Sequence, residues 1–233
     1  MNIRELFIYK VLEKLGIGPE VNFVVNPFVI QDLYIITTDL SNTKSNEIFT
    51  TAVNIKAQKD IEKLINDKDV ILEFTKFDLI NRIFGINDLN DGNYGILYKG
   101  DKKFVKIIDF RAPSTSIQLS EFVFNSFVKA YGDFYQKNSL AKIILSNRQE
   151  KQKYMKGFEA LKPIDNENLK KILISVQKEI LDFISIKDEV NNLEVKEQIG
   201  LNNETIDNLD IYVKTIQNNF EFAMNYLKKR LSN

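Results

Sequence analysis

Asn87-Asp88-Leu89-Asn90-Asp91-Gly92-Asn93 is a polar loop, and two short β-rich runs follow it, Tyr94–Tyr98 and Phe104–Ile108. Lys99-Gly100-Asp101-Lys102-Lys103 lies between the runs and reads as the turn of a hairpin. The second run ends in Ile107-Ile108-Asp109-Phe110. With Asp101 at the centre of a five-residue turn, residues pair when their numbers sum to 202. Tyr98 then faces Phe104, Ile96 faces Lys106, and at the open end Asn93 faces Asp109. Directly opposed residues of an antiparallel pair lie roughly 4.5–5.5 Å apart at Cα. A carboxamide oxygen and a carboxylate would therefore converge on one point. Two hard oxygen donors suit Mg²⁺, with water and phosphate oxygens completing its octahedral shell. Asp88, five residues before Asn93, falls in the same loop and can hold a substrate hydroxyl beside that ion. Asn, Asp and Gly also make plain turns. The hairpin that follows, with Asp109 at the opposing place, favours a site.

Working outward, Ile3, Leu6, Phe7, Val11, Leu12 and Leu15 recur at helical spacing, which predicts a helix over 2–15. Gly16, Gly18 and Pro19 stop it. Val21–Val25 and Leu33–Thr37 read as an antiparallel strand pair, and Asp39–Asn46 as a polar loop. Helices are expected over 47–66 and 69–84, the second ending near Gly85. Beyond Pro113 the pattern is helical, over about 117–131, 133–155, 166–190 and 204–231. Strands and helices are segregated along the chain, which points to an α+β fold. The expected division is 1–40, a helix with two strands, and 41–233, a helical lobe carrying the 94–108 hairpin.

Composition narrows the chemistry. Among 233 residues there is no cysteine and no histidine. Disulfides, thiolate nucleophiles, imidazole bases and histidine metal sites are excluded. Catalysis must rest on Asp, Glu, Lys, Tyr, Ser or Thr. The 32 basic and 32 acidic side chains cancel, so no long-range field draws the chain to nucleic acid or to an anionic membrane. Met1–Glu5 does not read as the start of a signal peptide and no run of about 18 apolar residues occurs, so a cytoplasmic location is expected. Phe122–Phe127 and Lys228–Arg230 read as core packing and a solvated helix end.

Asp88, four intervening residues and Asn93, followed by a hairpin and Asp109, has the spacing of a base and two metal ligands in kinases. Asn87–Asn93 further resembles the Gly-Asp-Leu-His-Pro-Gly-Asn loop of aminoglycoside and choline kinase-type phosphotransferases, within the protein kinase-like superfamily. Arg4-Glu5, with Tyr9, Leu12 and Gly16-Ile-Gly-Pro19, resembles the helix and following strand of that family's nucleotide lobe. The resemblance covers about residues 3–112. It implies a kinase-like fold, a partial nucleotide lobe and transfer of the ATP γ-phosphoryl group to a hydroxyl. It makes Asp88 the catalytic base, Asn93 and Asp109 the Mg²⁺ ligands, and Glu5 the partner of a phosphate-holding lysine. Asp39 and Leu40 would lie in the hinge that contacts adenine. Asn90 replaces the loop histidine, Ile86-Asn87 replace His-Gly, and Arg111 stands where glycine is common. The family's glycine-rich hairpin and lysine strand precede the helix of Glu5, and only four residues precede Glu5 here. The expectation is thus an N-terminally truncated kinase-like chain, inactive or very slow alone. Its partners would be a hydroxyl acceptor and a missing N-terminal segment or partner chain. A decayed pseudokinase acting as a non-catalytic binding module is the alternative.

Overall fold

The computed structural model describes residues 3–25, 33–42, 46–57, 61–113, 116–120, 135–136, 138–146, 150–188 and 203–232. The described residues form an α+β fold, mostly helical, with two small antiparallel sheets.

Helix α1 (Ile3–Lys14) buries Ile3, Leu6, Phe7, Ile8, Val11 and Leu12 and is covered on most of its surface. It ends in Gly16 at φ 67°, a left-handed position that glycine takes without a Cβ clash. Strands β1 (Val21–Val25) and β2 (Leu33–Thr37) form the first sheet, in the register Phe23 opposite Ile35 and Val24 opposite Tyr34. Its inner face lies against α1 and α7 (Asn166–Asp188), where Phe23 meets Phe183 at 5.8 Å between ring centres. Its outer face shows Val24, Tyr34 and Ile36 to solvent.

The segment expected as one helix over 47–66 divides differently. Glu47–Thr51 is strand β3, and only Ala52–Ala57 (α2) and Ile61–Ile65 (α3) are helical. Ile48, Phe49, Thr50 and Thr51 are strand-forming types, and an available partner edge decides for the strand. That edge is β4 (Tyr94–Lys99), which also pairs with β5 (Lys102–Ile107). Gly95 makes the close approach of β3 feasible: a Cβ there would sit 2.2 Å from the Thr50 carbonyl oxygen.

Helix α4 (Lys68–Phe84) is the central element. Asp67 caps it by accepting from the amides of Asp69 and Val70, and Gly85 at φ 67° closes it. It buries Phe74, Phe77, Ile80 and Ile83, and packs on β5, α5 (Leu140–Leu145), α6 (Glu150–Leu161) and α8 (Asn203–Leu231). The predicted helices over 69–84, 166–190 and 204–231 are thus present with small shifts of boundary. Most of the predicted 117–131 helix lies outside the described residues, and Ser116–Ser120 carries no regular element. Of the predicted 133–155 helix, the described residues 135–136 and 138–139 are not helical, 140–145 form α5 and 150–155 begin α6, with Ser146 ending α5. One buried apolar cluster runs from Ile3 to Leu227.

Candidate functional site

The loop 87–93 is pinned at both ends against the chain that leaves β5. Asn87 and Arg111 exchange backbone hydrogen bonds of 2.9 and 3.0 Å. At the other end the Asn93 carbonyl accepts from the amides of Ile108 at 2.9 Å and Asp109 at 3.2 Å. The loop must therefore arch between the two anchors, above Asp109 and Phe110. Asp88 sits at the start of the arch with φ 61°, a strained value for a residue with a Cβ. Asn93 Nδ2 donates to the Asp88 carbonyl at 2.7 Å, and the Asn90 side chain accepts from the Gly92 amide.

The hairpin register differs by one residue from the expected one. Tyr98 lies opposite Lys103 and Ile96 opposite Val105, so pairs sum to 201. Pairing continues to Lys99 and Lys102, leaving only Gly100-Asp101 as the turn. Gly100 takes φ 57°, the left-handed value that a two-residue hairpin loop demands and a glycine supplies. Asn93 is consequently not opposite Asp109 alone. Its carbonyl bridges the amides of both Ile108 and Asp109, as at a β-bulge. That bridge restores the proximity the simple register would have lost.

The Asp109 carboxylate is exposed and ordered on one side. Its Oδ1 accepts from the Tyr9 hydroxyl at 3.0 Å and from the Phe110 amide at 2.8 Å. The Tyr9 ring lies 4.3 Å from that of Phe110. Burial first, then the Asp109 charge and hydrogen bond, hold the Tyr9 phenol well above its ordinary pKa, with a further push from Glu5. Glu5 is thus electrostatically coupled to this corner, one helical turn before Tyr9, and has no ion pair among the described residues. Asp88 faces Arg111, with Oδ2 3.5 Å from Nε, and both side chains are largely exposed. Asp39 and Leu40 lie in the connection from β2 to β3, where Asp39 accepts from the Ser41 amide at 2.8 Å. No hydrogen bond or ion pair among the described residues joins either to the 87–93 loop.

Sequence reading missed the group that fixes the arch. The Asp91 carboxylate, 10% exposed, accepts from the Tyr94 hydroxyl at 2.5 Å, from the Leu140 amide at 3.2 Å, and pairs with Lys56 at 2.7 Å. Tyr94 also accepts from the Ala141 amide. Burial and Asp91 keep the Tyr94 phenol protonated far above its ordinary range. Asp91 is the fourth acidic or amide residue of a turn-like string, and nothing local marks it; the signal lies in α5, capped by Ser139 and distant in sequence.

A cleft of about 200 Å³ opens beside the loop, lined by Asp88, Leu89, Asn90, Asp91, Tyr135, Gln136 and Ser139. Behind it, Tyr135 accepts from Asn81 Nδ2 at 3.1 Å. A roomier cleft of about 330 Å³ lies near the end of α1, but its Glu73 and Lys76 pair with each other at 2.5 Å. The smaller one is the candidate because Asp88, whose side chain is about half exposed, lines it at the start of the arch.

Among the described residues no three acidic side chains gather as a metal site. The candidate donors are one carboxylate and one carboxamide. Asn93 uses its Nδ2 internally, which leaves Oδ1 as a donor atom, and Asp109 retains Oδ2. Both are hard oxygens, so the residues present fit Mg²⁺. No protein-family model, curated protein or solved structure matches the chain. The class that fold and site define is an α+β protein with an arched acidic loop over a strand end.

Proposed function

We propose that this chain carries a kinase-like phosphotransferase site, which moves the ATP γ-phosphoryl group to a hydroxyl acceptor. The observation that supports this most is the arch of 87–93, anchored at Asn87–Arg111 and at Asn93–Ile108/Asp109. In it Asn93 Nδ2 donates to the Asp88 carbonyl and the Asn93 carbonyl accepts from the Asp109 amide, which supports a shared role for the three. Asp88 orients the acceptor hydroxyl and takes its proton, and Arg111 holds the Asp88 carboxylate from the solvent side. Asn93 and Asp109 would hold Mg²⁺, which would supply charge neutralisation on the phosphate oxygens. Glu5 would pair with a lysine that holds the phosphates. The acceptor enters the cleft between Asp88 and Ser139.

Phosphoryl transfer depends on positioning and charge stabilisation, and losing one preorganised donor typically costs about 10²–10³ in rate. No ion pair to Glu5 is present among the described residues, so residues 1–233 are expected to bind Mg²⁺-ATP weakly and turn over very slowly. Ligand at 100 times its Kd stabilises by roughly 2.7 kcal/mol. Millimolar Mg²⁺-ATP should therefore give a small rise in melting temperature, abolished by Asp109→Asn. A rise that survives Asp109→Asn removes the metal assignment, and fast turnover by these residues overturns the expectation of a weak phosphate grip. The second reading is a non-catalytic kinase-fold module, favoured by the exposed apolar face of β1–β2.

A further inference from the structure

Asp109 has two oxygens in unequal circumstances. Oδ1 accepts two hydrogen bonds, from the Phe110 amide and from Tyr9. The first comes from the adjacent residue and moves with the loop. The second comes from α1, 100 residues away in sequence, on a helix whose neighbours Ile8 and Val11 are fully buried. Tyr9 is itself 8% exposed and seated on the Phe110 ring. Its hydroxyl therefore has little freedom, whereas the carboxylate it grips is exposed.

We propose that Tyr9 is the positioning residue of Asp109: its hydroxyl fixes one carboxylate oxygen so that the other is presented toward the Asn93 side of the arch. This rests on the phosphotransferase reading for its purpose, though the orientation itself does not. A buried phenol needs a hydrogen-bond partner in any case. The geometry goes further, because the partner is the exposed carboxylate that the site requires, and the same ring clamps the next residue. The assignment makes α1 a supporting wall of a site whose donors all come from residues 88–109. Groups that orient a metal-binding side chain typically change affinity by 10–100-fold when lost.

Tyr9→Phe keeps the ring and removes only the hydroxyl. Side-chain coupling constants of Asp109, read by NMR on the full chain and on Tyr9→Phe, report the orientation without any metal. Wild type is expected to show one χ1 state and Tyr9→Phe an averaged one, with the amide spectrum of α4 unchanged. A single χ1 state retained in Tyr9→Phe overturns the proposal. Manganous ion, titrated as a paramagnetic probe, supplies the second readout. Its affinity should fall roughly tenfold or more in Tyr9→Phe and vanish in Asp109→Asn. Loss in Asp109→Asn with no change in Tyr9→Phe overturns the positioning role while leaving the metal site. Binding unchanged in Asp109→Asn, beside an averaged χ1 in Tyr9→Phe, overturns the metal site and leaves Tyr9 as the group that orients Asp109.

Discussion

The two hairpins are built from similar residues and behave differently. β1–β2 has its inner face on α1 and α7, while Val24, Tyr34 and Ile36 on the outer face are 42–51% exposed. β4–β5 is joined by β3 along one edge and lies on α4, so Tyr94, Ile96, Val105 and Ile107 are at most 2% exposed. Strand propensity alone does not separate them. What separates them is whether another element arrives to cover the remaining face and edge. The candidate site hangs from the covered hairpin, where an anchored strand end can hold an arched loop in place.

The largest break in this contrast should come at Gly95. Gly95→Val forces a side chain into the Thr50 carbonyl and the Phe49 ring, so β3 must leave β4. A loss of about 3 kcal/mol or more in urea unfolding is expected, with loss of protection at the β3 amides in hydrogen exchange. Unchanged β3 protection would mean that β3 is not held by this approach.

Asp91→Ala comes next. It strips the partner from the Tyr94 hydroxyl, the Leu140 amide and Lys56 at once. About 2 kcal/mol should be lost, and amides of the 88–93 loop should exchange faster than those of β5. Equal slowing or quickening of both would show that the loop is not held separately by Asp91.

A smaller effect tests the cap of α4. Asp67 is held below its ordinary pKa first by the Lys103 hydrogen bond at 2.7 Å, against some desolvation, with help from the Val70 and Asp69 amides. A depressed carboxylate stabilises fully above its unfolded value and loses that contribution as pH falls through the folded value. The window therefore opens below about pH 4. Asp67→Asn keeps a capping oxygen and removes the charge, so its stability should fall less steeply in acid than that of wild type. At neutral pH the two should differ by less than about 1 kcal/mol. Parallel curves through the acid range would deny Lys103 the role.

The outer face of β1–β2 should be the most tolerant. Val24→Thr with Ile36→Thr is expected to change stability by about 0.5 kcal/mol at most, while lowering light scattering at high concentration. A large destabilisation would show that this face is covered after all.

Much of the frame was legible because its signals are local. The helix of Ile3–Lys14 follows from apolar spacing and a glycine stop, and Lys68–Phe84 from periodicity ending at Gly85. The hairpin followed from two β-rich runs about a Gly-Asp pair. Its register differs by one because the expected five-residue turn centred on Asp101 is in fact the two residues Gly100-Asp101, where Gly100 supplies the left-handed position. Glu47–Thr51 was misread because five residues can belong to either period, and only β4, more than 40 residues on, settles it. Of the candidate site, Asp88, Asn93 and Asp109 are the residues that spacing singles out. Tyr9 and Asp91 take their places through partners 100 and 49 residues away, which no local pattern carries.

The last helix binds the first parts of the chain. Tyr212 donates to the Phe84 carbonyl at 2.5 Å, and its ring lies beneath Arg4 and beside Phe7. Asn219 donates to the Ile83 and Ile117 carbonyls and accepts from the Leu119 amide. During synthesis from the N-terminus, α1 and the end of α4 emerge long before these partners exist. Their apolar faces and open carbonyls must wait until Tyr212 and Asn219 have left the ribosome. Such long-separation contacts slow folding and leave hydrophobic surface exposed meanwhile. The nascent chain should therefore be a strong chaperone client until residue 219 is released, and a translational stall before that point should be more damaging than one after it.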